Sequence, residues 1–339
     1  MNRPVLRENW LKDQLNEKFN LSIDENNIIP LAQDASFRQY FRILTPEKNF
    51  LLMDAPPNLE NCKPFISIAQ TYLKTGIRTP EIFSYDLEMG YVLLEDFGNK
   101  VLQHSLNAEN AENLYFSSLK ILPKIQSCQL INESYLPHFG KEKMLEELYF
   151  FKEWCLIKFV ELDLSFQEEV FLNQFFDQLI SFCMTQPQVG VHRDYHSRNL
   201  MILNDQTIGV LDFQDAVIGP LTYDLVSLLR DCYIAWPQKD VKKWLKNYYE
   251  FTSPHPYSFE QFQQWFDWQG IQRHLKAIFI FCRKYVRDHS TNYLSDIPRA
   301  INYVTQISSE YPQLTAFKEF IENRLLSILL EKINSLTVN

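Results

Sequence analysis

The segment VGVHRDYHSRNLMILNDQTIGVLDF, residues 189–213, constrains the fold of this chain more than any other. Its polar residues follow no helical period, and its apolar residues gather into two short β-type runs, Leu200 to Leu203 and Thr207 to Leu211, joined by an Asn-Asp turn. An apolar pair, Val189 and Val191, leads in. The pattern predicts a polar loop followed by a hairpin, with Asp194 in the loop, Asn199 five residues later and Asp212 closing the second run.

Around this segment the chain changes character. The first hundred residues hold short β-type runs, Ile28 to Leu31, Tyr40 to Leu44, Phe50 to Asp54 and Tyr91 to Glu95, which read as an antiparallel sheet. After the breaker Ala55 to Asn58, the run Pro64 to Lys74 carries apolar residues at helical spacing and stops at Gly76. The first residues, MNRPVLRENWLKDQLNEKF, are periodic as in a helix. From Asn107 onward the pattern is helical at 108–130, 141–160, 166–186, 239–251, 258–285 and 314–336. The expected class is α+β, a bilobal arrangement with a small antiparallel-sheet lobe, residues 1–98, and a mainly helical lobe, residues 99–339.

At 339 residues, 46% hydrophobic with 26 Phe, 17 Tyr and 6 Trp, the chain can fill two cores. A net charge of −9 argues against a broad nucleic-acid surface, so any polyanionic ligand must be met by local charge or metal. The six cysteines lie far apart with no C-x-x-C pair, so neither a zinc framework nor a disulfide scaffold is indicated. There is no long apolar run to enter a membrane. A reduced, cytoplasmic chain is expected, on which reading the Asn132 sequon is chance.

The residue types in the loop suit phosphoryl transfer, and their spacing is that of a kinase catalytic loop with its metal-binding aspartate. An acceptor hydroxyl must be oriented and lose its proton, which a carboxylate such as Asp194 can accept. Magnesium takes oxygen ligands, and Asn199 with Asp212 supplies them while leaving room for phosphate and water. His192 and His196 have the spacing of a zinc pair, but no third ligand is evident, and a structural role for His192, hydrogen-bonding the loop's backbone, is the better reading. Arg193 and Arg198 read equally well as solvated surface and as substrate contacts.

Together with DASFRQYFRI (Asp34 to Ile43), LLMDAPP (Leu51 to Pro57), VLLEDFG (Val92 to Gly98), GPLTYDLVSLLRD (Gly219 to Asp231), QRHLK (Gln272 to Lys276) and YLSDIPR (Tyr293 to Arg299), the loop gives a resemblance across nearly the whole chain. The sequence resembles the aminoglycoside phosphotransferase superfamily, the small-molecule relatives of protein kinases, and within it the bacterial anomeric N-acetylmuramate/N-acetylglucosamine kinases. The resemblance implies transfer from ATP, with Mg2+, to the anomeric hydroxyl of an amino sugar in peptidoglycan recycling. The product would be an α-1-phosphate for a sugar-1-phosphate nucleotidyltransferase, with no nucleic-acid or membrane partner. It makes Asp194 the base, Asn199 and Asp212 the magnesium ligands, and Glu95, Asp96 and Phe97, up to Gly98, the hinge facing adenine.

Two departures bear on ATP. No G-x-G-x-x-G exists among the eight glycines, and the turn between the first strands is instead Ala35, Ser36, Phe37 and Arg38. Where the third strand of kinases carries a lysine, this chain has Met53 or Asp54. Arg38 or Arg42 is a candidate for the missing charge, and ordinary strand arginines are the competing reading. For the acceptor the candidates are Asp215, Arg230, Asp231, Tyr233 and Arg273, with Asp224 and His274 nearby. Asp224 reads first as a helix cap or loop anchor, and the aromatics from Phe259 to Trp268 as core. The rival readings are a kinase of another small alcohol, such as an aminoglycoside, choline or homoserine, and a non-catalytic ATP-binding scaffold.

Overall fold

A computed structural model describes residues 2–31 and 37–337. The described residues form two compact units. The first takes the chain up to Ser105 together with 130–135 and 199–216, and the second takes 106–129, 136–198 and the chain from Val217 on.

The first unit is built on a five-stranded sheet of β1 (Ile28–Pro30), β2 (Gln39–Ile43), β3 (Phe50–Asp54), β4 (Ile82–Asp86) and β5 (Tyr91–Glu95), in the order β1-β2-β3-β5-β4 and antiparallel throughout. Strand β4, IFSYD, has no counterpart among the expected β-type runs and lies between Pro80 and the turn that follows. Leu44, expected in the second strand, lies just beyond it and donates its N–H to the Asn27 carbonyl. Gly90 closes the β4–β5 turn at a φ of 73°, where any Cβ would run into the Ala55 carbonyl oxygen.

Alternation sorts the sheet's two faces. Ile43, Phe50, Leu52, Tyr91 and Leu93 form one core with Leu11 and Leu15 of the N-terminal helix Arg3–Phe19. Asp54 lies at the edge of this face, buried, where its carboxylate takes Arg3 Nε at 2.9 Å and faces Arg7 Nη1 at 3.4 Å. Residues of the opposite parity include Tyr40, whose hydroxyl lies 3.4 Å from Met53 Sδ. The helix Cys62–Lys74, capped by Asn61, buries Phe65 and Tyr72, whose rings pack on Phe213 at 4.9 and 6.0 Å. Phe213 belongs to the hairpin segment: Leu200–Ile202 and Ile208–Val210 pair antiparallel, as expected from the two apolar runs.

The second unit is helical. Its axis is the 30-residue helix Phe259–Asp288, buried around much of its circumference by Lys141–Phe150 with its π-helical continuation Phe151–Phe159, by Phe166–Cys183 and by Ile297–Glu310. Ser165 and Glu168 form a capping box on Phe166–Cys183. The stretch expected as one helix over 108–130 is two, Ala111–Leu119 and Leu122–Ser127, the second opening at Pro123. Ile297–Glu310 was unforeseen. Phe262, Trp265, Phe266 and Trp268 are core, as the helical spacing predicted. One short strand pair interrupts the helices: Gln188–Val191 runs antiparallel to Val217–Pro220. A side chain on Gly190 would meet the Ile125 and Cys128 carbonyl oxygens, so glycine lets this strand lie against Leu122–Ser127. Val191 delivers the chain directly to His192.

Candidate active site

In the second unit, residues 192–198 form a loop held by side chains remote in sequence. Asp224 accepts the His192 N–H at 2.7 Å and the Arg193 N–H at 3.0 Å. Asp231 accepts the Ser197 N–H at 2.9 Å, the Ser197 hydroxyl, and the Tyr233 N–H at 2.8 Å. Tyr195 donates its hydroxyl to the Ser118 carbonyl at 2.8 Å. Within the loop His192 Nδ1 accepts the Asp194 N–H at 3.3 Å, the backbone role expected of it. Arg193 sits at a φ of 75°, a left-handed conformation that costs a non-glycine residue about 1 kcal/mol or more and persists because these bonds over-determine it. Its guanidinium reaches Glu147 at 3.2 Å, and Glu147 in turn accepts Gln272 Nε2 at 2.7 Å.

Burial sets the ionisation of the anchors. It pushes the Asp224 carboxyl up to about 7, against the pull of the two backbone N–H donors, and raises that of Asp231 against its Ser197 hydrogen bond. Burial also lowers the His196 ring to about 3, with Asp194 opposing and Arg273 assisting, so this imidazole is neutral.

Asp194 differs from the anchors. Its side chain is 33% exposed, and Oδ1 stands 3.9 Å from Arg273 Nη2 and 3.8 Å from Lys276 Nζ. Burial by the surrounding loop raises its carboxyl, but the charges of Lys276 and Arg273 outweigh it and hold Asp194 well below the usual carboxylate range. It is an ionised carboxylate flanked by cations, able to orient a hydroxyl and take its proton late in a reaction, but a weak base. Both cations lie on Phe259–Asp288 three residues apart, hence on one helix face. Arg273 donates Nε to Ser227 Oγ at 3.1 Å and Lys276 donates to the Tyr223 hydroxyl at 3.2 Å. Burial works against the Lys276 ammonium, yet Tyr223, Asp194 and Glu147 together raise its pKa.

In the first unit, Asn199 Nδ2 lies 3.3 Å from Asp212 Oδ2, and Gln214 Nε2 donates to Asp212 Oδ1 at 2.7 Å. Asp212 has a φ of 61°, left-handed like Arg193 and Gln206 in the same segment. A carboxylate and a carboxamide side by side, the former exposed, form an oxygen donor set that fits a hard divalent cation. Among the described residues no three His, Cys, Asp or Glu side chains are placed to hold one metal ion, so Asn199 and Asp212 would leave most of the coordination sphere to substrate and water.

The other residues expected at the nucleotide end also lie in the first unit. Ala35 and Ser36 fall outside the described residues. Phe37 is 61% exposed. Arg38 pairs with Glu60 at 3.3 Å, just before the Asn61 cap. Burial pushes the Tyr40 hydroxyl up to about 12, with Arg38 pulling it down and Asp212 pushing it up, so Tyr40 senses both charges. Arg42 is engaged: Nε meets Asp96 at 2.6 Å, Nη1 donates to Asn99 at 2.7 Å and Nη2 to the Gly98 carbonyl at 3.1 Å. Asp96 also accepts the Gly98 N–H at 2.9 Å. Arg78 lies 5.1 Å from the Phe97 ring centroid and donates to Glu95 at 2.7 Å.

The acceptor candidates separate. Asp215, exposed, belongs to the first unit; Arg230, Asp231, Tyr233 and Arg273 belong to the second. Arg230 is buried against Asp267 at 2.5 Å, and Asp231 anchors the loop as described, so neither guanidinium nor carboxylate is presented to a ligand. Tyr233 lies 5.1 Å from the His196 ring and under the Arg198 guanidinium at 3.8 Å. The His274 ring is buried between the Gly270 and Arg230 carbonyls. Arg273 alone of the named set faces Asp194. Lys276, absent from that set, joins it there, and the i,i+3 spacing from Arg273 was the signal that would have found it.

The family model of the phosphotransferase enzyme family matches residues 27–262. The N-acetylmuramate/N-acetylglucosamine kinase of Pseudomonas putida is 36% identical over 320 residues, covering 92% of this chain and 94% of that protein. The protein of the same description from Neisseria meningitidis is 35% identical, covering 93% of each. Among solved structures, ADP-bound aminoglycoside phosphotransferase APH(2'')-Ib superposes with a TM-score of 0.57 at 15% identity, over 87% of this chain and 97% of that one. Choline kinase LicA from Streptococcus pneumoniae gives 0.57 at 14% identity, over 88% and 99%. The fold is therefore kinase-like, with an antiparallel sheet in its N-terminal part and a mainly helical remainder, and the chain belongs to the phosphotransferase enzyme family.

Proposed function

We propose that this phosphotransferase transfers the γ-phosphoryl group of ATP to the anomeric hydroxyl of N-acetylmuramate or N-acetylglucosamine. The observation that carries the reading is the setting of Asp194, a partly exposed carboxylate made weakly basic by Arg273 and Lys276 on a loop anchored by Asp224 and Asp231. Catalysis is efficient when the base is matched to the proton it takes. The anomeric hydroxyl of a reducing sugar is a stronger acid than an ordinary alcohol, and so suits a weak base.

In the step, the C1 oxygen attacks the γ-phosphorus, the new O–P bond forms as the bond to the ADP oxygen breaks, and the hydroxyl proton passes to an Asp194 carboxylate oxygen. The transition state is loose, so the proton moves late and a carboxylate of low pKa suffices. Asn199 and Asp212 would hold magnesium, which supplies charge neutralisation at the phosphates when bound. Arg38, positioned by Glu60, is the cation we assign to the phosphates in place of the strand lysine. Arg42 braces Asp96, Gly98 and Asn99 at the proposed adenine hinge. Residues 1–98 would carry the nucleotide and residues 99–339 the acceptor. Two buried cations beside the base disfavour a cationic acceptor such as choline or an aminoglycoside. The sugar 1-phosphate would feed a nucleotidyltransferase in cell-wall recycling, a cytoplasmic role in keeping with six free, buried cysteines.

The test follows ADP release and loss of the reducing end with Mg-ATP and each sugar. Both should occur together. ADP release with the reducing end intact would refute anomeric transfer, and no ADP with either sugar would refute the amino-sugar assignment.

A further inference from the structure

Arg193 immediately precedes Asp194, and its φ of 75° sets the direction in which the loop carries that carboxylate. Glycine would hold this φ freely, whereas arginine holds it only under restraint. The restraint has two ends. The backbone end is Asp224, which accepts the His192 and Arg193 N–H groups. The side-chain end is Glu147, 46 residues upstream on Lys141–Phe150, whose Oε1 takes Arg193 Nη2 at 3.2 Å.

The two ends are joined through the interior. Gln272 donates Nε2 to Glu147 Oε2 at 2.7 Å, Gln269 donates Nε2 to Gln272 Oε1 at 2.8 Å, and Gln186 Nε2 lies 3.5 Å from Gln269 Oε1. Gln186 Oε1 accepts the N–H and the hydroxyl of Thr222 at 2.9 and 2.8 Å, and Thr222 opens the helix Tyr223–Leu229 that bears Asp224. Glu147, the three glutamines, Thr222 and Asp224 are all buried. Every amide in the run donates toward Glu147, so the run requires an acceptor-only group at its end, which an ionised carboxylate is. A glutamine at 147 would present one carbonyl oxygen to two donors and set its own NH2 against one of them. A buried carboxylate is costly unless paired, and Arg193 supplies the cation hydrogen-bonded to this one.

We propose that Glu147 is a positioning residue for phosphoryl transfer: by holding the Arg193 guanidinium at the end of this buried run, it keeps the left-handed turn that aims Asp194 at the acceptor hydroxyl. The proposal rests on the reading of Asp194 as the base and adds to it the residue that fixes its direction.

The experiment measures kcat, KM for ATP and for the sugar, and hydrogen exchange of the backbone amides of residues 192–194. It compares the wild-type chain with Glu147→Gln, Arg193→Met, Arg193→Gly and the double variant Glu147→Gln/Arg193→Gly. Glu147→Gln and Arg193→Met should each lower kcat by about tenfold to a hundredfold, as for one lost charge-assisted hydrogen bond, with either KM changed by less than about threefold. The three amides should exchange faster by about tenfold or more. Glycine needs no tether at this φ, so in the Arg193→Gly background Glu147→Gln should change kcat and exchange by less than about twofold. Wild-type kcat and exchange in Glu147→Gln or Arg193→Met would overturn the proposal. So would the same loss from Glu147→Gln in the glycine background as in the arginine one, which a residue acting only through packing would give. If Glu147→Gln does not fold, Arg193→Met, at a side chain 26% exposed, removes the same pair and decides alone. If Asp194→Asn stays fully active, the base assignment falls instead, and exchange, which needs no substrate, still decides whether Glu147 holds the turn.

Discussion

Lys276 Nζ stands 3.8 Å from Asp194 Oδ1, joining a buried lysine of the 30-residue helix to the carboxylate of the loop. That relationship separates Asp194 from Asp224 and Asp231, which are buried, raised in pKa and bound to backbone N–H groups. Three aspartates within forty residues therefore have different work. Asp194→Asn should lower kcat by about 10²- to 10⁴-fold, the range for removing a general base, with the chain still folding cooperatively. Turnover and a thermal scan on the same preparation check both halves; a fully active variant would contradict the assignment.

Asp224→Ala should behave in the opposite way. It leaves the His192 and Arg193 N–H groups without their acceptor, at a cost of about 1–3 kcal/mol for each buried donor. Denaturant unfolding should show the loss directly, and kcat should fall because the loop carrying Asp194 is no longer held in the Arg193 left-handed conformation.

The nucleotide end offers a comparison between two arginines. Arg38→Ala and Glu60→Ala should raise KM for ATP, Arg38 by about tenfold or more if a charge-assisted phosphate contact is lost. Arg42→Ala removes contacts to Asp96, Asn99 and Gly98, so its expected signature is lowered stability. An unchanged KM for ATP in Arg38→Ala would remove Arg38 from the phosphate site.

His196 and Asp224 should pull stability in opposite directions with pH. The folded His196 pKa, about 3, is below the ordinary value near 6.5. The unfolded chain therefore takes up a proton first, and this contribution is full above pH ~6.5 and lost as pH falls toward 3, at up to ~1.4 kcal/mol per unit. The folded Asp224 pKa, about 7, lies above its ordinary value near 3.9. Its contribution is full below that value and is lost as pH rises through 7. Unfolding free energies across pH 4–8 should accordingly rise less steeply with pH in His196→Gln than in the wild type, and more steeply in Asp224→Asn.

Much of this was legible in the sequence, and the reasons are local. Phe50–Asp54 and Tyr91–Glu95 match their β-type runs at both ends because burial on the two faces demands a short apolar run. The loop and hairpin followed from irregular polarity between apolar pairs. What was missed depends on pairings distant along the chain. Arg230 and Asp231 are adjacent in sequence, yet one turns to Asp267 and the other to Ser197, and no local pattern tells them apart. The partners of Asp54, Arg3 and Arg7, lie on a helix 51 and 47 residues upstream. Ile297–Glu310 had a readable stripe in Ile297, Ile301, Val304 and Ile307, hidden by the turn-like residues that precede it.

Transfer of the phosphoryl group to the anomeric oxygen is what distinguishes the proposed reaction from phosphorylation of any other hydroxyl. The most direct test is the NMR spectrum of the product formed from Mg-ATP and N-acetylmuramate by the 339-residue chain. Anomeric transfer gives a phosphorus resonance coupled to the anomeric proton, with the α configuration at C1. Coupling to any other ring or C6 proton, with the reducing end intact, would contradict it.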